Sequence, residues 1–343
     1  MIRMDSPHIL VHEYVSGGGW PEPELPAGLT AEARAMLRAV LADLNAWGMV
    51  RTTTTIDARL PYIDLAADRL VPLSPDRHMP TLEKLALECG AALVIAPESK
   101  GVLGRITQRL ESLDVLLLGA NSDAVSIAAD KWQCYQLFRE NAIPTPETCL
   151  VTRDDVINKA AGLNPPWVVK PRDGVAAEGV GLATDLASLC RAQTLARSGS
   201  GQCLLQSYIP GVHASVSLLS NGKDTLALSL NQQKIEVGVS FAYRGGRIPL
   251  QHPLEQRAFA LAQRAVSLIP GLRGYVGVDL VMTPNECYVL EINPRITTSY
   301  VGLRWVIDLN LAEAIWDSCS AGRLPKTATV TGTVSFSKDG TLG

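Results

Sequence analysis

The densest group of chemistry-bearing residues in this chain lies between positions 279 and 295. Asp279 sits in an apolar run, 275–282, and Glu291-Ile292-Asn293-Pro294-Arg295 closes a second run that starts at Cys287. Both runs read as strands joined through Thr283-Pro284-Asn285-Glu286. Side chains alternate along a strand, so Glu291 and Asn293 share a face. With a short turn at 284–286, Asp279 falls directly opposite Glu291. Two carboxylates and an amide oxygen then crowd together among Val276, Val278, Leu280, Val289 and Leu290. Adjacent buried carboxylates repel, and each carries a desolvation cost. A divalent cation relieves both penalties. All-oxygen ligation with no His or Cys beside it suits Mg2+ or Mn2+, with nucleotide phosphates completing the coordination shell. The competing reading is a solvated face on which one acid pairs with Arg295 or Arg273.

Lys170 follows Trp167-Val168-Val169 and precedes Pro171. It therefore ends a buried strand, where an unpaired ammonium is costly and a phosphate would pair it. Gly174, Gly179 and Gly181 in the next loop let backbone N–H groups approach phosphate oxygens. A plain turn is the alternative. No Gly-Lys-Ser/Thr follows, so this is not a Walker loop. Lys131 by itself reads as an exposed helical lysine. Gln206-Ser207-Tyr208-Ile209-Pro210-Gly211 runs a strand into Pro-Gly, which exposes backbone groups able to read an adenine edge. An ordinary edge strand has the same pattern.

The elements that must position these residues are of two kinds. The first third alternates strands and helices, with apolar runs at 9–15, 91–96 and 115–118 and helical spacing at 31–47 and 101–112. That is the pattern of a doubly wound parallel sheet. Ligands of such sheets bind beyond the carboxyl ends of the strands, where Glu13, the glycines 17–19 and Pro97-Glu98-Ser99 lie. Next come one helix over 122–140, capped by Asn121 or Ser122 and stopped by the prolines at 144 and 146. A strand at 167–171 and a helix over 185–197 follow, then a Ser-Gly connector at 198–201. Strands at 203–209, 213–220 and 225–230 lead to a helix over 253–269, the two metal-site strands and a last helix over 299–318. Asn221-Gly222 marks a hairpin. The fold class is thus α/β and α+β, divided as a Rossmann-like domain at 1–120, a small subdomain with the glycine-rich loop at 121–200, a subdomain with the metal site at 201–325, and a Thr/Gly/Ser-rich tail at 326–343 that the pattern leaves unplaced.

Composition narrows the class. The 343 residues are 47% hydrophobic and 19% charged, with a formal net charge of -3. No basic surface of the nucleic-acid-binding kind follows from that. The 7 cysteines are scattered and form no C-x-x-C pair, which favours reduced thiols over a disulfide framework or zinc. No signal peptide and no membrane-spanning run are read, so a cytoplasmic protein without membrane partners is expected.

A helical lysine, strand-Lys170 with its glycine loop, Gln206-x-x-Ile209-x-Gly211, Asp279, and Glu291-x-Asn293-Pro294-Arg295 stand in the order that resembles ATP-grasp enzymes. The resemblance covers roughly residue 121 to the last helix, and the N-terminal sheet resembles their usual preceding domain. It implies an ATP-grasp fold, ATP and Mg2+ or Mn2+ as cofactors, and activation of a carboxylate as an acyl phosphate for attack by an amine. Lys131 and Lys170 would contact the phosphates. The backbone at Tyr208 and Ile209 would read adenine beside Gln206. Asp279, Glu291 and Asn293 would bind metal, and Arg295 would stabilise the acyl phosphate. His213 stands where many relatives carry a ribose-binding Glu. Gly277 stands where D-alanine–D-alanine ligases carry an Arg.

The segments 11–19 and 291–304 also look like the tyramine–glutamate ligase family of methanofuran biosynthesis. That narrower resemblance implies ligation of glutamate to tyrosine or tyramine. It assigns Glu13, Gly17, Gly18, Arg295, Thr297, Thr298 and Arg304 to the substrate pocket, with helix capping as the other role for Thr298. Small amino-acid and amine substrates, no nucleic acid and, by analogy, a homodimer go with it. The alternatives are another amino-acid ligase of the same fold, or a non-catalytic ATP-binding sensor.

Overall fold

A computed structural model describes residues 6–61, 65–174, 177–196 and 201–343. The first segment runs β1 (His8–Glu13), α1 (Ala27–Trp47), β2 (Arg51–Asp57), β3 (Arg69–Leu73), α2 (His78–Cys89), β4 (Gly90–Ile95), α3 (Val102–Glu111) and β5 (Leu116–Leu117). Its strands form a parallel sheet in the order β3-β2-β1-β4-β5. The chain winds outward from β1 and then returns to β4, so the winding reverses between those two strands. A crevice opens at such a reversal. Here it lies beyond Glu13 and Ile95, which pair across it.

The second segment holds α4 (Ser122–Ala129), α5 (Lys131–Glu140), β6 (Thr148–Val151), α6 (Val156–Ala160), β7 (Trp167–Pro171), β8 (Gly181–Ala183), α7 (Leu186–Leu195) and β9 (Cys203–Ser207). The single helix expected over 122–140 is two. Asn121 caps the first, its side chain accepting from the Ala124 N–H at 2.8 Å. The break falls at Asp130, which is extended with φ -92° and ψ 97°. Its carboxylate accepts from the Trp132 and Gln133 N–H groups and so caps α5, and it also holds the Arg172 guanidinium. Two local N–H donors and the distant Arg172 on one carboxylate outweigh helix continuity. The strands form an antiparallel sheet, β6-β9-β7-β8. β9 therefore belongs with the small subdomain, and the sheet draws on both sides of the boundary expected at 200/201. Val175 and Ala176 of the glycine loop, Arg197 and the connector residues 198–200 lie outside the described residues.

The third segment runs β10 (Val212–Asn221), β11 (Thr225–Glu236), β12 (Ala242–Ile248), α8 (Glu255–Ser267), β13 (Arg273–Met282), β14 (Cys287–Asn293), α9 (Ser299–Leu303), α10 (Leu311–Ser320) and β15 (Val334–Ser337). They build an antiparallel sheet, β14-β13-β10-β11-β12-β15. The helix expected over 299–318 is again two, because Asn310 caps a fresh start by accepting from the Glu313 N–H. The Thr/Gly/Ser-rich end supplies β15, which pairs with β12 and places Phe336 in the core. Another core region joins the parallel sheet to the large sheet, from Leu10 and Leu82 through Phe138 to Val216 and Val276. The small sheet has its own core around Trp167, Val169, Leu189 and Leu205. Among the described residues no helix is long and apolar enough to cross a membrane.

Candidate active site

Asp279 and Glu291 pair as expected, but a β-bulge brings them there. The turn at 283–286 pairs Met282 with Cys287, Val281 with Tyr288 and Leu280 with Val289. Continued without interruption, that register would set Leu290 against Asp279. Leu290 is instead the extra residue of a bulge, and Glu291 takes the facing position. Asp279 also pairs with Ser215 of β10, and the Gln233 side-chain amide of β11 donates to its Oδ1 at 3.0 Å.

Burial, then the charge of Glu291, pushes the Asp279 carboxyl well above its ordinary range. Burial acts on Glu291 in the same direction, but Lys131 and Lys170 outweigh it and hold that carboxylate below the ordinary range. Burial and mutual repulsion thus weigh most on Asp279. A divalent cation fits this donor set, because it would answer both. Among the described residues no group of three or more His, Cys, Asp or Glu is placed to hold a metal. Two carboxylates and the Asn293 amide would thus form a partial shell that substrate oxygens complete.

The two lysines reach this face from the small subdomain. Lys131 is the first residue of α5, aimed there by the break at Asp130. Its Nζ lies 3.3 Å from Glu291 Oε2 and donates to the Gly174 carbonyl at 2.7 Å. It is buried, which corrects the exposed helical lysine that its sequence context suggests. Lys170 on β7 is buried too, and burial lowers its pKa to about 8 against the pull of Glu291. Of the three loop glycines, Gly174 lines the cleft. Gly181 serves packing: a Cβ there would lie 2.7 Å from the Val239 carbonyl oxygen, in the loop between β11 and β12. Gly179 turns the chain beside Pro171, with φ +70°.

At the hinge the Gln206 amide donates to Thr148 Oγ1 at 2.7 Å, and the Tyr208 N–H donates to the Pro166 carbonyl at 3.1 Å. These bonds fix the strand end. Among the described residues Ile209 makes no backbone hydrogen bond, so its peptide groups remain open where it lines the cleft. His213 lines the cleft edge-on to Phe241 at 6.2 Å, with its pKa lowered by burial.

The far end of the cleft is walled by the parallel sheet, α1 and the segment 295–299. Arg295 forms an ion pair with Glu98 at 2.9 Å, from the loop after β4. Burial opposes its charge, but Glu98 and, further off, Glu32 and Glu291 raise its pKa on balance. Glu13 accepts from the Val15 and Ser16 N–H groups and from the Ser16 hydroxyl, at 2.6–3.2 Å. Burial lifts its pKa to about 7 in spite of these bonds. Thr297 lines the cleft, and Thr298 donates to Glu32 Oε1 at 2.6 Å rather than capping α9. Gly17 and Gly18 shape the turn behind Glu13, packed against Thr55 and Leu73, and do not line the cleft. Arg304 lies apart: it pairs with Asp43 of α1 at 2.7 Å and covers the Trp305 ring.

A profile described as the ATP-grasp domain matches residues 128–299, half of the chain, and one described as the pre ATP-grasp 3 domain matches 50–125. Tyramine–L-glutamate ligase of Methanocaldococcus jannaschii is 30% identical over 86% of this chain and 84% of its own length. The chain belongs to the ATP-grasp family. The enzyme of that name from Methanocaldococcus fervens is 29% identical over 86% of this chain and 89% of its own. The crystal structure of an ATP-grasp superfamily protein from Archaeoglobus fulgidus matches 96% of this chain and 92% of its own, with a TM-score of 0.70 and 25% identity. The fold is therefore the ATP-grasp fold with its N-terminal parallel-sheet domain, and the chain is an ATP-dependent, ADP-forming ligase that makes a carbon–nitrogen bond.

Within the ATP-grasp cleft, three residues escaped the sequence reading. Gln233 holds Asp279, Glu32 comes from α1, and Tyr243 on β12 has its hydroxyl pKa raised by burial and by Glu32. Gln233 lies beyond the end read for its strand, and β12 was not read as a strand at all. The one available signal for Glu32 is an acid on the Leu29-Ala33-Met36 stripe of an otherwise apolar helix face. Gly277 has a plain cause as well: a Cβ there would meet Thr297 Cγ2 at 2.7 Å. Thr297 fills the space that a side chain at 277 would need.

Proposed function

We propose that this enzyme joins the carboxylate of L-glutamate to the amine of tyrosine or tyramine through an acyl phosphate, in the biosynthesis of a methanofuran-like C1-carrier cofactor. The carrying observation is the face on which Asp279 stands opposite Glu291 with Lys131 and Lys170 turned toward it. The relatedness to tyramine–glutamate ligases over most of both chains supports the choice of substrates.

In this reading ATP lies with adenine at the Ile209 backbone and its phosphates between the lysines and the carboxylate pair. His213 stands beside the ribose in place of an acid. Mg2+ or Mn2+, held by Asp279, Glu291 and Asn293, would supply charge neutralisation for the phosphates. The glutamate carboxylate attacks the γ-phosphorus, the bond to the β-bridging oxygen breaks, and ADP leaves. Lys170 and Lys131 offset the negative charge that spreads over the transferring phosphoryl group. Arg295, kept charged and pointed by Glu98, faces the acyl phosphate. The amine then attacks the acyl carbon and phosphate departs. Gly174, Ala177, Glu178 and Val180 line the cleft beside Phe241 of the loop between β11 and β12, and exclusion of water there would protect the intermediate.

Release of ADP measured against a panel of carboxylates and amines tests the proposal. Stimulation by glutamate together with tyramine or tyrosine is expected. Turnover with other pairs but not with these would assign the cleft to different substrates.

A further inference from the structure

Glu13 and Glu32 line the far end of the cleft, Glu98 stands against Arg295 there, and the bonding states of the three carboxylates differ. Glu13 is saturated by its own turn, with three donors on its oxygens. Glu98 is neutralised by Arg295. Glu32 is buried, at 9% exposure, and receives one hydrogen bond, from Thr298 to Oε1. Among the described residues no Lys, Arg or His lies within ion-pair distance of it, and no hydrogen bond reaches its other oxygen. A buried carboxylate without a cation is costly, and a ligand cation would remove that cost.

The surroundings define the cation. Leu29, Glu32, Ala33 and Met36 line the cleft from one face of α1, at the spacing of successive helical turns. An ammonium bound to Glu32 would therefore have apolar wall along its body. Arg295 is paired with Glu98 at 2.9 Å and acts on Glu32 only from outside ion-pair distance. Thr298 fixes the rotamer by holding Oε1, which leaves Oε2 for the ligand.

We propose that Glu32 is the residue that selects the acceptor, binding the ammonium of a primary amine whose apolar body rests on Leu29, Ala33 and Met36. One ammonium proton passes to Glu32 Oε2 before the free amine attacks the acyl carbon, and the departing phosphate takes the second. This rests on the amide-forming reaction with glutamate put forward above. Glu32 thus sets affinity for the amine and takes no part in forming the acyl phosphate. A charge-assisted hydrogen bond of this kind corresponds to roughly ten- to a hundredfold in affinity.

Hydroxylamine separates the two halves of the reaction, because it is neutral near pH 8 and traps an acyl phosphate as the hydroxamate. Wild-type enzyme and the Glu32→Gln variant are assayed with ATP and glutamate, once with tyramine and once with hydroxylamine. The expected result is a KM for tyramine raised about ten- to a hundredfold in the variant, with a much smaller change in glutamyl hydroxamate formation. Equal losses with both acceptors, or an unchanged KM for tyramine, would overturn the role of Glu32 while hydroxamate formation by the wild type kept the glutamate reading intact. If wild-type enzyme forms no hydroxamate from glutamate, the proposed reaction falls and the role of Glu32 falls with it. Hydroxamate formation by the variant also reports that it is folded.

Discussion

At one end of the cleft two buried lysines meet a pair of carboxylates, and at the other a buried arginine meets one of three. The first end is held by sheet register. Asp279 and Glu291 are neighbours because β13 and β14 pair, and Lys170 stands on β7. The second end is assembled by packing: α1, the end of β1, the loop after β4 and the segment 295–299 come from distant parts of the chain. The nucleotide end thus carries general chemistry on rigid, locally specified elements. The substrate end carries its selectivity on residues that only tertiary structure unites.

If that division is right, damage at the first end should fall on turnover. Asp279→Asn or Glu291→Gln is expected to lower kcat by about a thousandfold or more, the scale of lost electrostatic stabilisation at a reacting phosphoryl group. The thermal midpoint should hold for Asp279→Asn, which removes a like-charge repulsion, and fall for Glu291→Gln, which leaves the buried Lys131 and Lys170 without that carboxylate. Steady-state ADP release and a melting curve on one preparation check both halves.

A smaller effect is expected at Lys170. Lys170→Met should weaken ATP binding by roughly ten- to a hundredfold. Proton linkage gives a second readout on the native enzyme. Burial lowers the Lys170 pKa to about 8 in the free cleft. The cation is the form that a polyphosphate favours, so binding raises that pKa, and affinity is full below pH 8 and lost above it. Nucleotide Kd from calorimetry should rise between pH 8 and 9.5, by at most about tenfold per unit, and Lys170→Met should flatten that rise.

The least effect on catalysis is expected from Arg304, which lies outside both ends. Arg304→Ala should change kcat/KM by less than about threefold. It should cost roughly 2–3 kcal/mol of stability, because it leaves Asp43 buried without its cation. Chemical denaturation beside a rate assay distinguishes this from a substrate contact.

The sequence pattern was a good guide where function follows a strand or its order. The parallel sheet, the hairpin and the Asp279–Glu291 pairing were legible from apolar runs and turn residues. The bulge at Leu290 was not, since a one-residue slip leaves the hydrophobic pattern of the two strands nearly unchanged. The Asp130 break was hidden for a similar reason: 122–140 keeps helical periodicity across it, and the Arg172 that helps to hold Asp130 lies far along the chain. Arg304 shows the converse. It sits within a run that matches a family pattern, yet its partner is a structural acid on α1. Glu32 stands at the other extreme, because an acid on an apolar helix face gains meaning only from the walls around it.

The bulge at Leu290 also limits how this gene can change. Composition in the turn at 283–286 is free to drift, but length between Asp279 and Glu291 is not. Gain of one codon on the β14 side, with the single bulge kept, would set the added residue opposite Asp279 and carry Glu291 to the position beyond. Such an insertion would part the two carboxylates without altering a single catalytic residue.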